Sequence, residues 1–283
     1  MIPLIRRLPT FAPILLTCVA AACAPKQAPA TTPTAPAAAS SAAPAARGIP
    51  RTADGKPNFQ GIWQVRNRAS YGLEYHAASL GILPGKSVLV GDTAIPYTPA
   101  ALKKRNENFE KRAELDPFNK CFMPGVPRIM YIEHPFQIFQ TPQHVAMTFE
   151  WSQVFRLIYT DGSKHQDGIE FWMGDNRGRW DGDTLVVENT NHNDQTWLDA
   201  SGDFHSEQLK LTERYTMVDA DTIQYEVTFE DPKVYTKPWK ISMPISRQKD
   251  MDRLLEFQCQ AEREEANGAF ERDERTWYPK PKP

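Results

Sequence analysis

Alternation with period two dominates the second half of the chain. In TIQYEVTFE (222–230), Ile223, Tyr225, Val227 and Phe229 share one face, and Gln224, Glu226 and Thr228 share the other. This is the pattern of a half-buried antiparallel strand. KISMPIS (240–246) repeats it, with Ile241, Met243 and Ile245 following Trp239. Turn chemistry at Thr141-Pro142, Asp161-Gly162, Asp181-Gly182 and Asp219-Ala220-Asp221 separates further strand-like runs from residue 126 onward. The spacing predicts roughly eight to ten strands with mostly short connections and little room for crossover helices. An all-β, mainly antiparallel fold follows: an up-and-down barrel or strongly curled sheet, with a two-sheet β-sandwich as the alternative.

Before the strands the period changes. Thr98-Pro99 followed by AALKKRNENFEKRAEL (100–115) predicts one short helix near 99–115. Threonine suits the N-cap, proline suits the first helical position, and Asp116-Pro117 ends the run. Its apolar positions Leu102, Phe109 and Ala113 form a thin stripe, which predicts a surface helix.

The N-terminus is patterned for export. Residues 1–22 carry Arg6 and Arg7, then an apolar stretch too short to span a bilayer, then Ala20-Ala21-Ala22. Cys23 follows directly, and the arrangement resembles the lipobox of bacterial lipoproteins. The resemblance implies cleavage before Cys23, a diacylglyceryl thioether on its sulfur and an acylated (palmitate-type) amine. Several acyl chains would hold the protein stably at a membrane, where one would not. Ala24 and Pro25 in place of an aspartate imply sorting to the outer membrane, facing the periplasm. Residues 23–47 are rich in Pro, Ala, Ser and Thr and lack the apolar surface to fold, so they read as a tether. This leaves 48–283 as a single β-rich domain.

Charge and cysteine usage narrow the classes. Without Arg6 and Arg7, Lys+Arg falls from 33 to 31 against 35 Asp+Glu, and no basic block stands out. That excludes nucleic acid as a partner class. Cys121 and Cys259 remain outside the signal segment, and in an envelope protein such a pair predicts a disulfide. There is no G-x-S-x-G, Gly-rich phosphate loop, H-E-x-x-H or C-x-x-C. No cofactor is predicted.

Two resemblances can be traced in the residues. Gly61-x-Trp63 in NFQGIWQV (58–65) resembles the lipocalin and wider calycin signature. The resemblance implies a lipocalin-like barrel whose Trp63 packs across the barrel floor beneath an arginine from a late strand, with Arg247 and Arg253 as candidates. The blocks RTADGKPNFQGIW, CFMPGVPR, PFQIFQTPQHV, WMGDNRGRWDGDTLVVE, NDQTWLD and HSEQLKLTERY are similar to those of a family of bacterial secreted proteins with no assigned activity.

The densest chemistry lies in HNDQTWLDASGDFHSE (192–207). A connection this long between strands is usually functional, and Trp197, Leu198 and Phe204 predict that it is packed, as a lid over a barrel mouth. His192 or His205 could act as a general base oriented by Asp194 or Asp199. Alternatively, His192-x-Asp194 and His205-x-Glu207 could bind a divalent ion, or the polar groups could simply bond the loop together. Trp172, Arg177, Trp197, Asp199 and Arg214 are candidate ligand contacts. The leading expectation is an envelope lipoprotein that holds a small, largely apolar or amphipathic molecule inside its barrel. A cofactor-independent hydrolase, lyase or isomerase using His192, His205 and Asp194, and a structural lipoprotein, are the alternatives.

Overall fold

The computed structural model describes residues 48–260, 270–272 and 279–281. The signal segment, Cys23 and the tether lie outside them. Residues 45–283 form one compact unit.

Nine strands close into a barrel in chain order: β1 (Gly61–Gln64), β2 (Phe136–Gln140), β3 (His144–Phe149), β4 (Phe155–Tyr159), β5 (Asp175–Asp181), β6 (Thr184–Thr190), β7 (Lys210–Asp219), β8 (Thr222–Glu230) and β9 (Trp239–Arg247). β1 completes the ring by pairing with β9. The expected barrel is present, with one departure from strict up-and-down order. Strict alternation around a ring needs an even number of strands, so nine strands force at least one parallel neighbour pair. It falls between β4 and β5, where the only backbone register is Tyr159 opposite Arg177. A parallel connection must return to the starting end of the sheet. Residues 160–174 make that return without a helix. Every other neighbouring pair is antiparallel, with the longest ladders joining β6 to β9.

Period two decides what fills the ring. Leu211, Tyr215 and Met217 on β7, the four apolar residues of β8, and Trp239, Ile241, Met243 and Ile245 on β9 all lie inside and are buried. Phe136, Ile138, Val145, Met147 and Phe149 continue the layer from β2 and β3. The barrel interior is therefore a packed core.

Trp63 is fully buried and donates its Nε1–H to the Phe59 carbonyl at 2.7 Å. The guanidinium of Arg247 lies 4.1 Å over its ring, whereas Arg253 is exposed beside Asp252. Gly61 is required here. Its φ is +130°, and a Cβ would run into the Arg247 guanidinium.

Residues 65–135 wrap onto the ring, pairing with β9 through 88–90 and adding Leu73, Ile129 and Tyr131 to the same core, and they contain the helix, α1 (Pro99–Glu110), with a short continuation, α2 (Arg112–Leu115). Thr98 caps α1 by accepting from Ala101 N, as its sequence suggests. The buried face differs from the apolar stripe, since Leu102 is 47% exposed while Ala101 and Asn108 are buried. Polar anchors hold the helix down: Arg105 Nε donates to Asp203 at 2.9 Å and Asn108 Nδ2 to the Gly202 carbonyl at 3.1 Å. The disulfide Cys121–Cys259 is formed and joins this wrapping segment to the chain after β9. Phe270–Arg272 and Pro279–Pro281 pair as a separate two-stranded ribbon.

Candidate binding site

The parallel seam leaves β4 and β5 short of backbone hydrogen bonds, and side chains cross it instead. Arg156 on β4 and Asn176 on β5 both point inward, and Arg156 donates to Asn176 Oδ1 through Nε at 2.9 Å and Nη2 at 2.6 Å. The rest of the guanidinium faces Glu213 of β7 as a two-pronged ion pair, with Nη1 to Oε1 at 2.9 Å and Nη2 on Oε2. Nη1 also donates to the Tyr215 hydroxyl, while Tyr215 and Tyr225 donate to Glu213 Oε1. All five N–H groups of Arg156 are thus used. Burial works to lower the Arg156 pKa, but the Glu213 carboxylate outweighs it and holds the pKa above its ordinary value. Tyr215 and Tyr225 are held neutral by burial, with their pKa values raised. A buried ion pair is tolerated when its charges are well hydrogen-bonded, and here every guanidinium proton and both carboxylate oxygens have partners.

Outside this polar layer the seam opens into a cleft of about 1030 Å³. Its wall is formed by Trp151, Phe155, Phe171, Trp172, Met173 and Ile169, and its inner end by Arg156, Asn176, Asp175 and Arg177. The volume suits a small-molecule site, and the lining mixes these apolar side chains with polar ones such as Gln153, Asp161, Ser163, Gln166 and Glu170. Gly174 forms part of the lining at φ +61°, where a Cβ would collide with Asn189 Oδ1. Most polar groups here are matched. Asp175 forms an ion pair with Arg177 Nη1 at 2.9 Å, meets His165 Nδ1 at 3.1 Å and accepts from Gln166 N at 2.8 Å. Arg177 Nε donates to the Lys164 carbonyl at 2.8 Å, Nη1 also reaches the Asn176 carbonyl, and the guanidinium lies over Tyr159. Its Nη2 has no hydrogen-bond partner among the described residues.

The loop 191–206 is packed, as its apolar residues predict. It is pinned between the barrel and the wrapping segment. Asp199, fully buried, accepts from the backbone N–H of Leu73, Ser201 and Asp203 at 2.9, 2.9 and 3.2 Å. Asp203 accepts from Tyr97 and Arg105. Tyr131 donates to the Leu198 carbonyl, and Ser201 to that of Tyr71. Burial, with Asp203 alongside, pushes the Asp199 carboxyl well above the usual carboxylate range.

The histidines are buried as well. His205 Nε2 shares a hydrogen bond with the Thr196 hydroxyl at 2.7 Å, and its Nδ1 meets the Ser206 carbonyl at 2.9 Å. Burial lowers the pKa values of both rings, His192 strongly, with His205 adding to the effect on His192. Neither nitrogen of His192 has a hydrogen-bond partner within the described residues. Asp194 is exposed, and Glu207 pairs with Lys233 at the surface. No group of three or more His, Cys, Asp and Glu among the described residues could hold a metal ion.

The candidate ligand contacts therefore separate. Trp172 and Arg177 line the cleft. Trp197 and Asp199 are buried in the loop, and Arg214 lies on the outer face of β7, paired with Asp181 at 3.1 Å. Parity explains Arg214: Leu211, Tyr215 and Met217 point inward, so 214 points out. The same parity marks the interior polar residues absent from the sequence-based candidates, because Glu213 shares a face with Leu211 and Tyr215, and Arg156 with Ile158. Two smaller hollows, of about 690 and 650 Å³, have linings as mixed as that of the cleft, and neither contains a tryptophan. A comparison with protein-family models found no match, and a search of curated proteins found none either.

Proposed function

We propose that this protein is an envelope lipoprotein whose barrel binds a small amphipathic molecule in the seam cleft between β4 and β5. One observation carries the reading: a cluster of aromatic side chains and an arginine whose Nη2 has no protein partner line the same open cleft. The apolar body of the ligand lies against Trp151, Phe155 and Trp172, and a carboxylate or carbonyl oxygen accepts from Arg177. Aromatic walls supply contact area with little loss of side-chain freedom, and a free guanidinium N–H favours a planar acceptor. The export pattern at 1–23 and the disulfide support an envelope location.

Acid–base catalysis by His192 and His205 has less support. Both rings are buried, and neither lines any of the hollows described above. A general base must come within hydrogen-bonding reach of its substrate.

Native mass spectrometry of the protein purified gently from its producing cells tests the reading. A stoichiometric organic adduct is expected, and Trp172→Ala or Arg177→Ala should each lower its affinity about tenfold, as for loss of one anchor or one charge-assisted bond. A clean unliganded mass, together with no saturable binding of a medium-chain fatty acid, would overturn it.

A further inference from the structure

The cleft explains its floor but not its rim. Phe155 is 74% exposed, Ile169 51%, Phe122 48% and Met123 42%. They are neighbours: Phe155, Ile169 and Met123 line the cleft with Trp172, and Phe122 stacks on Trp172 at 5.3 Å with the rings 13° apart. Exposed apolar groups scattered singly need no explanation, but a contiguous aromatic patch around a cleft does. The patch is also held in place, because Cys121, next in the chain to Phe122, carries the disulfide to Cys259. A fixed apolar rim keeps its hydration cost for as long as nothing covers it.

We infer that this rim docks on a lipid bilayer, inserting Phe122, Phe155 and Ile169 among the acyl chains so that the cleft opens directly onto the membrane. The rim is continuous with the cleft wall, so an amphiphile could pass from bilayer to cleft without its apolar part crossing water. Charges along the 160–174 connection are net acidic, with Lys164 against Asp161, Asp167 and Glu170. This favours apolar insertion over attraction to anionic headgroups. Tether length is compatible. Arg51, just after the start of the folded domain, pairs with Asp183 in the β5–β6 turn, at the opposite end of β5 from Asp175. Strand β5 spans about 20 Å at ~3.3 Å per residue. Twenty-five residues, 23–47, have a covalent reach of at most about 80 Å. A lipid on Cys23 would therefore allow the cleft end to meet the same membrane.

The docking inference and the ligand reading can fail separately. A protein that carries a ligand but does not bind bilayers sinks only the docking, and one that binds bilayers but never carries a ligand sinks only the ligand reading. The test uses residues 45–283, the compact unit, made without any acyl anchor and floated with phosphatidylethanolamine/phosphatidylglycerol vesicles. The wild-type unit is expected to float at low and high salt alike. Phe122→Glu/Ile169→Glu should weaken partitioning at least about tenfold, as for two half-buried apolar groups. Both side chains are largely exposed, and an unchanged melting temperature checks that the variant folds. Tryptophan quenching by brominated acyl chains, abolished in Trp172→Phe, provides a second readout. Failure to float, or equal flotation of the variant, overturns the inference. So does a concentration-dependent dimer, broken by the same substitutions and formed without vesicles, which would assign the rim to a second copy of the chain.

Discussion

The loop 191–206 and the seam cleft draw on the same chemistry of indole, guanidinium, carboxylate and imidazole, yet they end in opposite states. In the loop Asp199, His205 and Ser201 find protein partners, His192 and Asp203 Oδ2 do not complete theirs, and all of these groups are buried, as are Trp197 and Leu198. In the cleft Phe155, Phe171 and Trp172 stay at least partly exposed, and Arg177 keeps one N–H pair unmatched. A run of chemically capable residues is therefore not yet a site. What separates the two regions is burial as much as hydrogen-bond saturation: a sealed cluster holds the fold together whether or not every group is matched, and an open one has capacity left for another molecule.

Saturation makes a first, large prediction. Glu213→Ala would leave the Arg156 guanidinium buried without its counter-charge, at a cost of about 3–5 kcal/mol. Equilibrium denaturation should show the loss directly. An unchanged midpoint would mean that water reaches the seam from the cleft and that the polar layer belongs to the open region.

The next contrast compares the two regions head to head. Asp199→Ala leaves three buried backbone donors, on Leu73, Ser201 and Asp203, without their acceptor. At about 1–3 kcal/mol for each orphaned group, and less than additively, roughly 3 kcal/mol should be lost. Phe155→Ser, at a side chain 74% exposed, should stay within about 0.5 kcal/mol of wild type while weakening ligand binding. The reverse ordering in thermal melts would break the distinction.

Much of this was legible before any coordinates. Period two in 222–230 and 240–246 fixes which faces point inward, and the turn signals give nearly the right number of strands. Gly61-x-Trp63 points to the tryptophan that Arg247 covers. The cleft was not legible, because it arises from ring closure. An odd strand count puts a parallel pair somewhere in the ring, and no local pattern says that it falls between Tyr159 and Arg177. The loop misled for a related reason. Its partners, Leu73, Tyr97, Arg105 and Tyr131, lie about 60–130 residues away in a segment whose path periodicity does not reveal. Arg214 and Glu213 are a different case, since strand parity alone assigns one outside and the other inside.

Acid should probe the loop selectively. Burial holds the His192 pKa well below its ordinary value. Below about pH 6.5 the unfolded chain takes up a proton that the folded His192 refuses, so stability is full above that pH and falls as pH drops. His205 acts in the same direction, and Asp199, whose pKa is raised, in the opposite one. Comparing wild type with His192→Leu cancels both. The variant should match or exceed wild type at pH 8, because it removes two unpaired buried nitrogens, and should lose less stability between pH 6.5 and 4.5. Parallel stability curves for the two proteins would show that His192 gains a partner on acidification.

The smallest effect sharpens the comparison most, because it sets arginine against arginine. Arg214 reaches Asp181 on the outer face, with both side chains at least 40% exposed. Such a pair contributes under about 0.5 kcal/mol and is weakened by salt. Arg214→Ala should therefore change neither the melting temperature nor ligand affinity measurably. Arg177→Ala removes a side chain that also holds Asp175 and the Lys164 carbonyl, so a modest stability loss of about 1 kcal/mol is expected with the loss of ligand. Arg177→Lys separates the two contributions. It retains a positive charge beside Asp175 but not the planar fork. If a planar acceptor on Nη2 is what the cleft recognises, calorimetry should find stability largely restored and affinity not. Restored affinity would make Arg177 a point charge, and the ligand's head an anion of no particular shape.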